Sequence, residues 1–521
     1  MPIRPTYPGV YVEEIPSGVH TITGVSTSVT AFVGRAWKGS MDKPVIITSL
    51  ADLSRKFGGL WRKSTMSYAV EQFFLNGGTQ AIIVRVATRT GADTASKATI
   101  DLGDGNELEA ANEGTWGRNL VVTIDHTVKD TSDTNLFNLY VVDNNDPNSF
   151  PLKDAESKGG SGQRETFLNV SRDQDSPRYV TKVLENQSEL IRFTGVGADR
   201  PIIQQSQADD TTGGDGVAII AADVDGDSSA KTGIYALKDA DIFNLLCIPP
   251  LTPGETGNDI SVNTWSKAAT FCEENRAMLI VDAPNNWKVD NVDSAAPTNL
   301  GHFSAITRKN AAIYFPRLKL ADSLQEGKLE SFAPDGVMAG LISRIDATRG
   351  VWKAPAGTEA NLKGVIGLGV ELTDQENGIL NPKGINCFRN FPGIGIVSWG
   401  GRTMEGQDIL ASEWNYLPIR RLALYIEESL FRGTKWVVFE PNDEPLWAKI
   451  RLNVGAFMMR LFREGAFQGS TPDTAFFVKC DSETTPQADR DLGIVNIVVG
   501  FAPLKPAEFV IIKIQQIAGE L

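Results

Sequence analysis

The chain is poor in the residues that do chemistry. Its 521 residues include three histidines, His20, His126 and His302, and none stands at metal-ligand spacing from a cysteine, another histidine or a carboxylate pair. No HExxH and no paired CxxC occurs, so neither a metal nor another cofactor is expected. The four cysteines, Cys247, Cys272, Cys387 and Cys480, lie far apart. They are expected as buried free thiols of a chain made in a reducing cytoplasm. No run of about 18 apolar residues exists, which excludes a membrane-spanning helix. The opening MPIRPTYPGVY lacks the apolar core of a secretory leader. Cations are short as well: 50 Lys+Arg stand against 64 Asp+Glu, a formal net charge of -14. That balance argues against nucleic acid and anionic membranes as partners and favours solubility at high local concentration.

Near-motifs fail on physical grounds. GDSSAKTG at Gly226 has Ala230 where a phosphate loop needs glycine before Lys231, and Asp225 where the first glycine belongs. Both glycines serve close approach of backbone to phosphate. Asp223, Asp225 and Asp227 have the spacing of a calcium loop, yet Ser228 replaces its glycine and Ile234 its terminal glutamate, so a solvated acidic loop is the better reading. GLGVEL at Gly367 and GIGIVS at Gly393 are lone GxG turns, and no GxSxG elbow occurs. Five of the ten tryptophans, Trp352, Trp399, Trp414, Trp436 and Trp447, fall in the C-terminal third, where core and subunit packing explain them better than a ligand pocket. An enzyme has no constellation to stand on.

What is present is alternation of strands and helices. VTAFVG and PVIIT are strand-like, Ser49 can cap a helix over LADLSRKF, and Ser64 or Thr65 can cap MSYAVEQFFLN. Gly58-Gly59 and Gly77-Gly78 end these helices, and AIIVRVA follows as a buried strand. After about Thr90 the chain turns polar and rich in Gly and Asp, with strands expected near 120–124, 137–142 and 189–193 and a flexible GGSG at 159–162. The α/β rhythm returns with FNLLCIPP, WSKAATFCEEN, AMLIVDAP, AAIYFP and PDGVMAGLISRID. Further on, Pro418 opens a helix through Phe431 with Ile419, Leu422, Ile426 and Leu430 on one face. WVVFE is expected as a strand. Pro445 to Glu464 forms a helix that buries Leu446, Ile450, Val454, Phe457 and Leu461, with Trp447 and Met458 beside them. AFFVK and LGIVNIVVGF are late strands.

A strand also stands at each end. GVYVEEI places Val10 and Val12 on one face and Tyr11, Glu13 and Ile15 on the other, with no hairpin partner nearby. EFVIIKIQQI, with Phe509, Val510, Ile511, Ile512 and Ile514, mirrors it. Pro16 and Gly18 hinge the first strand, and Pro503 and Pro506 the second. A strand must pair its backbone groups, so each adds either to another molecule or to the chain's own body.

Several stretches in order, PGVYVEEIPSG, TSVTAFVGRA, FFLNGG, EGTWGRNL, GVWKAPAG, INCFRNFPGIGIVSWGGRTM, EWNYLPIRRLALYIEESL and FEPNDEPLWAKIRLNVGAFMMRLFREGAFQG, resemble the sheath proteins of contractile phage tails and injection systems. They run from residue 8 to about 469. The resemblance implies a non-enzymatic structural polymer: hexameric rings stacked around an inner tube, joined by strand exchange through both arms, whose contraction drives the tube through a target envelope. It implies as partners the chain itself, the inner tail tube protein, and baseplate and terminator or cap proteins. It places the product, made in a bacterial cytoplasm, in a phage tail or phage-tail-like particle. The competing class is a β-rich tail adhesin or carbohydrate-binding protein, which would not explain a strand at both ends.

The expected fold is an α/β (α+β) core built from the N- and C-terminal parts of the chain, with a β-rich insertion and extended arms. About three domains suit this length. The expected division is an arm at 1–22, core at 23–90, an outer insertion at 91–235, core again at 236–383, a C-terminal domain at 384–505 and an arm at 506–521. On the Pro445–Glu464 helix, Lys449, Asn453, Ala456, Arg460 and Arg463 follow a 4-3-4-3 spacing opposite the apolar face. That stripe is either an ordinary solvated face or, by resemblance, the face turned to the tube.

Overall fold

The computed structural model describes residues 20–89, 93–144, 163–254, 259–287 and 305–512. The chain divides into two compact units, one of residues 28–348 and 354–417, the other of 1–27, 349–353 and 418–521.

The larger unit is organised by an eight-stranded sheet. Its strands run in the order Val45–Ile47, Ala81–Arg85, Thr30–Gly34, Leu245–Cys247, Met278–Asp282, Ala311–Phe315, Ile385–Phe391 and Gly395–Ser398. The six inner strands pair in parallel, with Thr30 opposite both Ala81 and Leu245, and the two edge strands are antiparallel. Thr30–Gly34, Ala81–Arg85, Met278–Asp282 and Ala311–Phe315 are buried along their whole length. That is why they read as continuous apolar runs rather than alternating ones. The crossover helices carry their predicted signals. Ser49 accepts from the Asp52 N–H and Ser64 from the Ser67 N–H, while Gly58 and Gly77 close the helices at φ +83° and +113°. Helix Asp335–Arg349 approaches helix Thr65–Asn76 so closely that a Cβ on Gly336 would stand 2.0 Å from the Ala69 carbonyl oxygen. One on Gly340 would stand 2.4 Å from the Phe73 carbonyl oxygen.

Between Arg85 and Ile219 the chain builds the β-rich insertion. Antiparallel sheets of three strands (Thr99–Asp101, Glu107–Ala110, Ile191–Gly195) and four strands (Leu120–Asp125, Leu136–Asp143, Arg164–Ser171, Gln204–Gln207) enclose their own core around Trp116, Leu139 and Leu184. The expected strands at 120–124, 137–142 and 189–193 are present within a few residues. The insertion ends earlier than expected. Ile219, Val224, Ile234 and Leu237 belong to the core of the large sheet, not to the insertion's core.

The smaller unit packs helix Leu417–Gly433, which begins at the last residue of the larger unit, against helix Glu444–Arg463. Asp443 caps the second helix, and Leu446, Trp447, Ile450, Val454, Phe457, Met458 and Leu461 are buried on the predicted face. A two-stranded ribbon, Phe476–Lys479 against Val498–Phe501, follows. Four further points differ from the sequence reading. Residues 385–391 form a strand of the large sheet, so the smaller unit takes up the chain at Pro418 rather than 384. Residues 23–27 belong with the C-terminal helices: Ile22 is buried there, and the Arg421 guanidinium donates to the Thr27 carbonyl over 2.9 Å. WVVFE is not a strand; Lys435–Val437 is a turn of 3-10 helix and Phe439 has φ +71°. Only Val498–Phe501 of LGIVNIVVGF pairs.

Candidate functional site

The stretches that carry the family resemblance are joints rather than chemistry. Arg85, buried on a sheet strand, donates to the carbonyls of Ala36 at 3.0 Å, Gly39 at 2.6 Å and Glu113 at 2.8 Å, and so ties the insertion to the sheet. Burial pushes its pKa down to about 10. Within EGTWGRNL, Thr115 gives both its N–H and its hydroxyl to Asp215, and Arg118 donates to the Gly213 carbonyl. Asn386 of INCFRNF is buried and bridges the Ile313 and Arg402 carbonyls at 3.0 and 2.8 Å. GVWKAPAG carries Val351 into the core of the smaller unit, with Trp352 packed beside it.

A cavity of about 180 Å³ opens near the carboxyl ends of the parallel strands, lined by Thr65, Tyr68, Arg317, Asp322 and Asp335 among others. Such a place is where open α/β sheets bind ligands. Asp282 Oδ1 accepts from the Asp335 N–H over 3.2 Å, and the Oδ2 atom of each carboxyl has no hydrogen-bond partner. Burial raises both carboxyls, Asp335 to about 7 and Asp282 well above the usual carboxylate range, against the opposing charge of Arg317. Arg317 itself pairs with Asp259. The described lining holds no histidine, cysteine or lysine. Among the described residues no three metal-ligating side chains come together, and no helix is long and apolar enough to cross a membrane. The acidic run is accounted for: Asp223 caps its helix at Ile220, Asp225 pairs with Lys267, and Asp227 takes the Ser229 and Ala230 N–H groups. All four thiols are buried, and burial pushes that of Cys387 to about 12 and that of Cys480 to about 11, which leaves them protonated.

The candidate assembly residues divide four ways. Val10, Tyr11, Val12, Glu13, Ile15, Pro16, Gly18 and Ile514 lie outside the described residues. Phe509, Val510, Ile511 and Ile512 are 74–81% exposed and form no strand within the chain. Pro503 is not a free joint. It bridges Phe467, and the Ala502 N–H donates to the Ala475 carbonyl over 2.8 Å, so the ribbon continues to that point and looser chain starts after it. On the Glu444–Arg463 helix, Lys449 and Arg463 are exposed, while Arg460 is half-buried over the Phe457 ring. Asn453 does not belong to that open stripe. It is 2% exposed, its Oδ1 accepts from the His20 N–H at 3.0 Å, and His20 stacks on Trp436. The segment from His20 covers this side of the helix. Sequence spacing could not show a cover supplied from more than four hundred residues away. The open face keeps Lys449, Ala456 and Arg463 of the expected stripe and adds Ala448 and Leu452.

The comparisons agree with this architecture. Residues 233–404 match the model of the phage tail sheath protein central domain, and residues 411–517 that of the phage tail sheath C-terminal domain. Together these span more than half of the chain. A tail sheath protein of Vibrio phage KVP40 is 29% identical over 178 residues, 34% of this chain and 25% of that relative's length. The sheath of an extracellular contractile injection system, the PVC complex in its contracted state, superimposes with a TM-score of 0.58 at 21% identity, covering 99% of this chain and 98% of that one. A sheath tail protein from Listeria innocua gives 0.59 at 12% identity, covering 93% and 96%. The contracted helical sheath of the anti-feeding prophage gives 0.56 at 22%, covering 98% and 99%. The chain belongs to the phage tail sheath protein family.

Proposed function

We propose that this chain is the repeating subunit of a contractile sheath, which polymerises as stacked hexameric rings around an inner tube and contracts to drive the tube through a target envelope. Its partners are its own copies, the tube protein, and the baseplate and cap proteins at the two ends. The observation that carries this reading is the tail Phe509–Ile512, four consecutive apolar residues left in solvent after a two-stranded ribbon. Isolated apolar strands in water are unstable companions of a ribbon that is itself marginal. Among the described residues, Phe476–Lys479 and Val498–Phe501 pair only with each other, so each keeps an open edge. A strand from a neighbour can add there, at about 1 kcal/mol net per backbone hydrogen bond. Such a link survives large movements of the bodies because seven extended residues reach roughly 23 Å.

The test is truncation. Chains lacking residues 507–521, or residues 1–18, are expected to fold with the helix content of the full chain and to form no tubes under negative-stain microscopy. Tubes of normal length from either truncated chain would refute strand exchange as the link.

A further inference from the structure

The turn before the second long helix of the smaller unit is built for an external contact. Phe439 is 103% exposed, beside the exposed Val438. Its φ of +71° lies in the left-handed region, where a bulky residue is a costly outlier. Among the described residues nothing covers Phe439 to offset either feature. Glu440, Asp443 and Glu444 follow it, all exposed, so the apolar tip has an acidic collar.

The larger unit carries the complementary shape and charge. A groove of about 650 Å³ is lined by Trp37, Leu50, Leu53, Leu60, Trp61 and Leu324, among others, with Gly58 and Gly59 keeping its floor low. Leu50 and Leu324 are exposed. A cavity of about 150 Å³ takes a benzene ring, so the groove admits a phenyl group with its valine neighbour. The segment that supplies most of this lining is basic: Arg55, Lys56, Arg62 and Lys63 fall within or beside Leu50–Trp61, in a chain whose net charge is -14. Arg55 pairs with Asp52, Lys63 stands 3.7 Å from Asp215, and Glu71 is the one acid in the described lining.

We propose that the Val438–Phe439 turn of one copy seats in the Leu50–Trp61 groove of a neighbouring copy. The inference rests on the self-assembly proposed above and names one contact within it. Because knob and groove are different surfaces of the same chain, the contact is head-to-tail, the kind that generates rings or helices rather than closed dimers. The acidic collar would meet the cations carried by the Leu50–Lys63 segment, which fixes the pairing and discourages knob-to-knob contact.

Cysteine cross-linking of assembled full-length chain tests it. The four native thiols are buried, so Phe439→Cys with Leu50→Cys adds the reactive pair. A short bismaleimide is expected to give a ladder of covalent multimers extending beyond the dimer, and neither single variant should give one. Normal polymers with no ladder would overturn the proposal, as would dimers from Phe439→Cys alone or its linkage only to another protein of the particle. If the unmodified chain itself fails to polymerise, the sheath reading fails instead. Should the cysteine pair block assembly, charge exchange decides. Glu440→Lys is expected to raise the critical concentration for polymerisation about tenfold, and Arg62→Glu with Lys63→Glu to restore it. Absence of restoration overturns the contact. Phe439→Gly, which relieves the left-handed backbone, should raise the Tm of the free subunit while weakening the polymer. A purely structural turn would not produce that opposition.

Discussion

At the scale of single residues, the Asp282–Asp335 pair sets a pH dependence whose sign can be derived. Both carboxyls are buried, each with an unpartnered Oδ2, at the junction of a strand end and a helix start. The groups facing them are Arg317, itself engaged by Asp259, and the Cys247 thiol, which burial raises. Desolvation holds the Asp335 pKa at about 7, against about 4 in an unfolded chain. A raised folded pKa means that the neutral carboxyl is what the fold accommodates. Its contribution is fully present below pH 4 and is lost as pH rises through 7. Asp282, shifted in the same direction, adds to the loss. The larger unit should therefore unfold at lower urea concentration at pH 8 than at pH 5. Asp335→Asn, which keeps the shape and removes the charge, should flatten that slope, with a gain at pH 8 of up to about 4 kcal/mol. A wild-type urea midpoint that rises from pH 5 to pH 8 would contradict this account.

At the scale of elements, helix packing turns on two glycines whose role is proximity rather than flexibility. Gly336 and Gly340 stand one turn apart and face backbone carbonyls of helix Thr65–Asn76 at distances no Cβ can share. Gly336→Ala should therefore push the helices apart and cost several kcal/mol, about 3 or more on the scale of overpacked cores. Gly378 sits in helix Asp374–Leu380 with nothing within 4 Å of its position. Gly378→Ala should be neutral or stabilise by up to about 1 kcal/mol. Thermal unfolding of the two variants checks the contrast, and equal effects would sink it. The same elements show what a sequence can and cannot disclose. Caps at Ser49 and Ser64 and the apolar face of Glu444–Arg463 are local, so spacing revealed them. WVVFE has strand composition, but its Trp436 is held by the His20 ring and its end must turn into the Asp443 cap. Tertiary contact therefore overrode propensity. Asn453 looked like a surface residue because asparagine usually is one, and the backbone that satisfies it comes from the other end of the chain. Phe509–Ile512 was legible as an apolar run, and it lies exposed, but the head-to-tail knob was not legible. No pattern of residue types announces a left-handed phenylalanine.

At the scale of the whole molecule, charge limits how the proposed sheath subunit would hold an inner tube and still release it. A chain of net charge -14 repels its copies at long range, so contacts that hold an assembly must be short-range or locally cationic. On helix Glu444–Arg463 the open face keeps Lys449 and Arg463 beside Leu452, which is 57% exposed, while Arg460 leans on Phe457 and Asn453 is covered. We propose this reduced face, two cations around an apolar centre, as the surface turned to the inner tube. Exposed ion pairs contribute only about 0–1 kcal/mol each, and one subunit would hold the tube weakly. Hundreds of repeated contacts would hold it in register, and a contracting body could break them one ring at a time. Lys449→Glu with Arg463→Glu should leave the Tm of the subunit and its polymerisation without tube unchanged, since both side chains are exposed and lie off the buried face. The same double variant should fail to assemble extended sheath on purified tube. For the wild type, raising salt from about 0.1 to 1 M, which shortens the screening length from about 10 to 3 Å, should weaken tube-bound assembly but not the strand-linked polymer. Co-sedimentation with tube at both salt concentrations reads the two effects separately. Full tube-bound assembly by the double variant at low salt would show that this helix faces elsewhere.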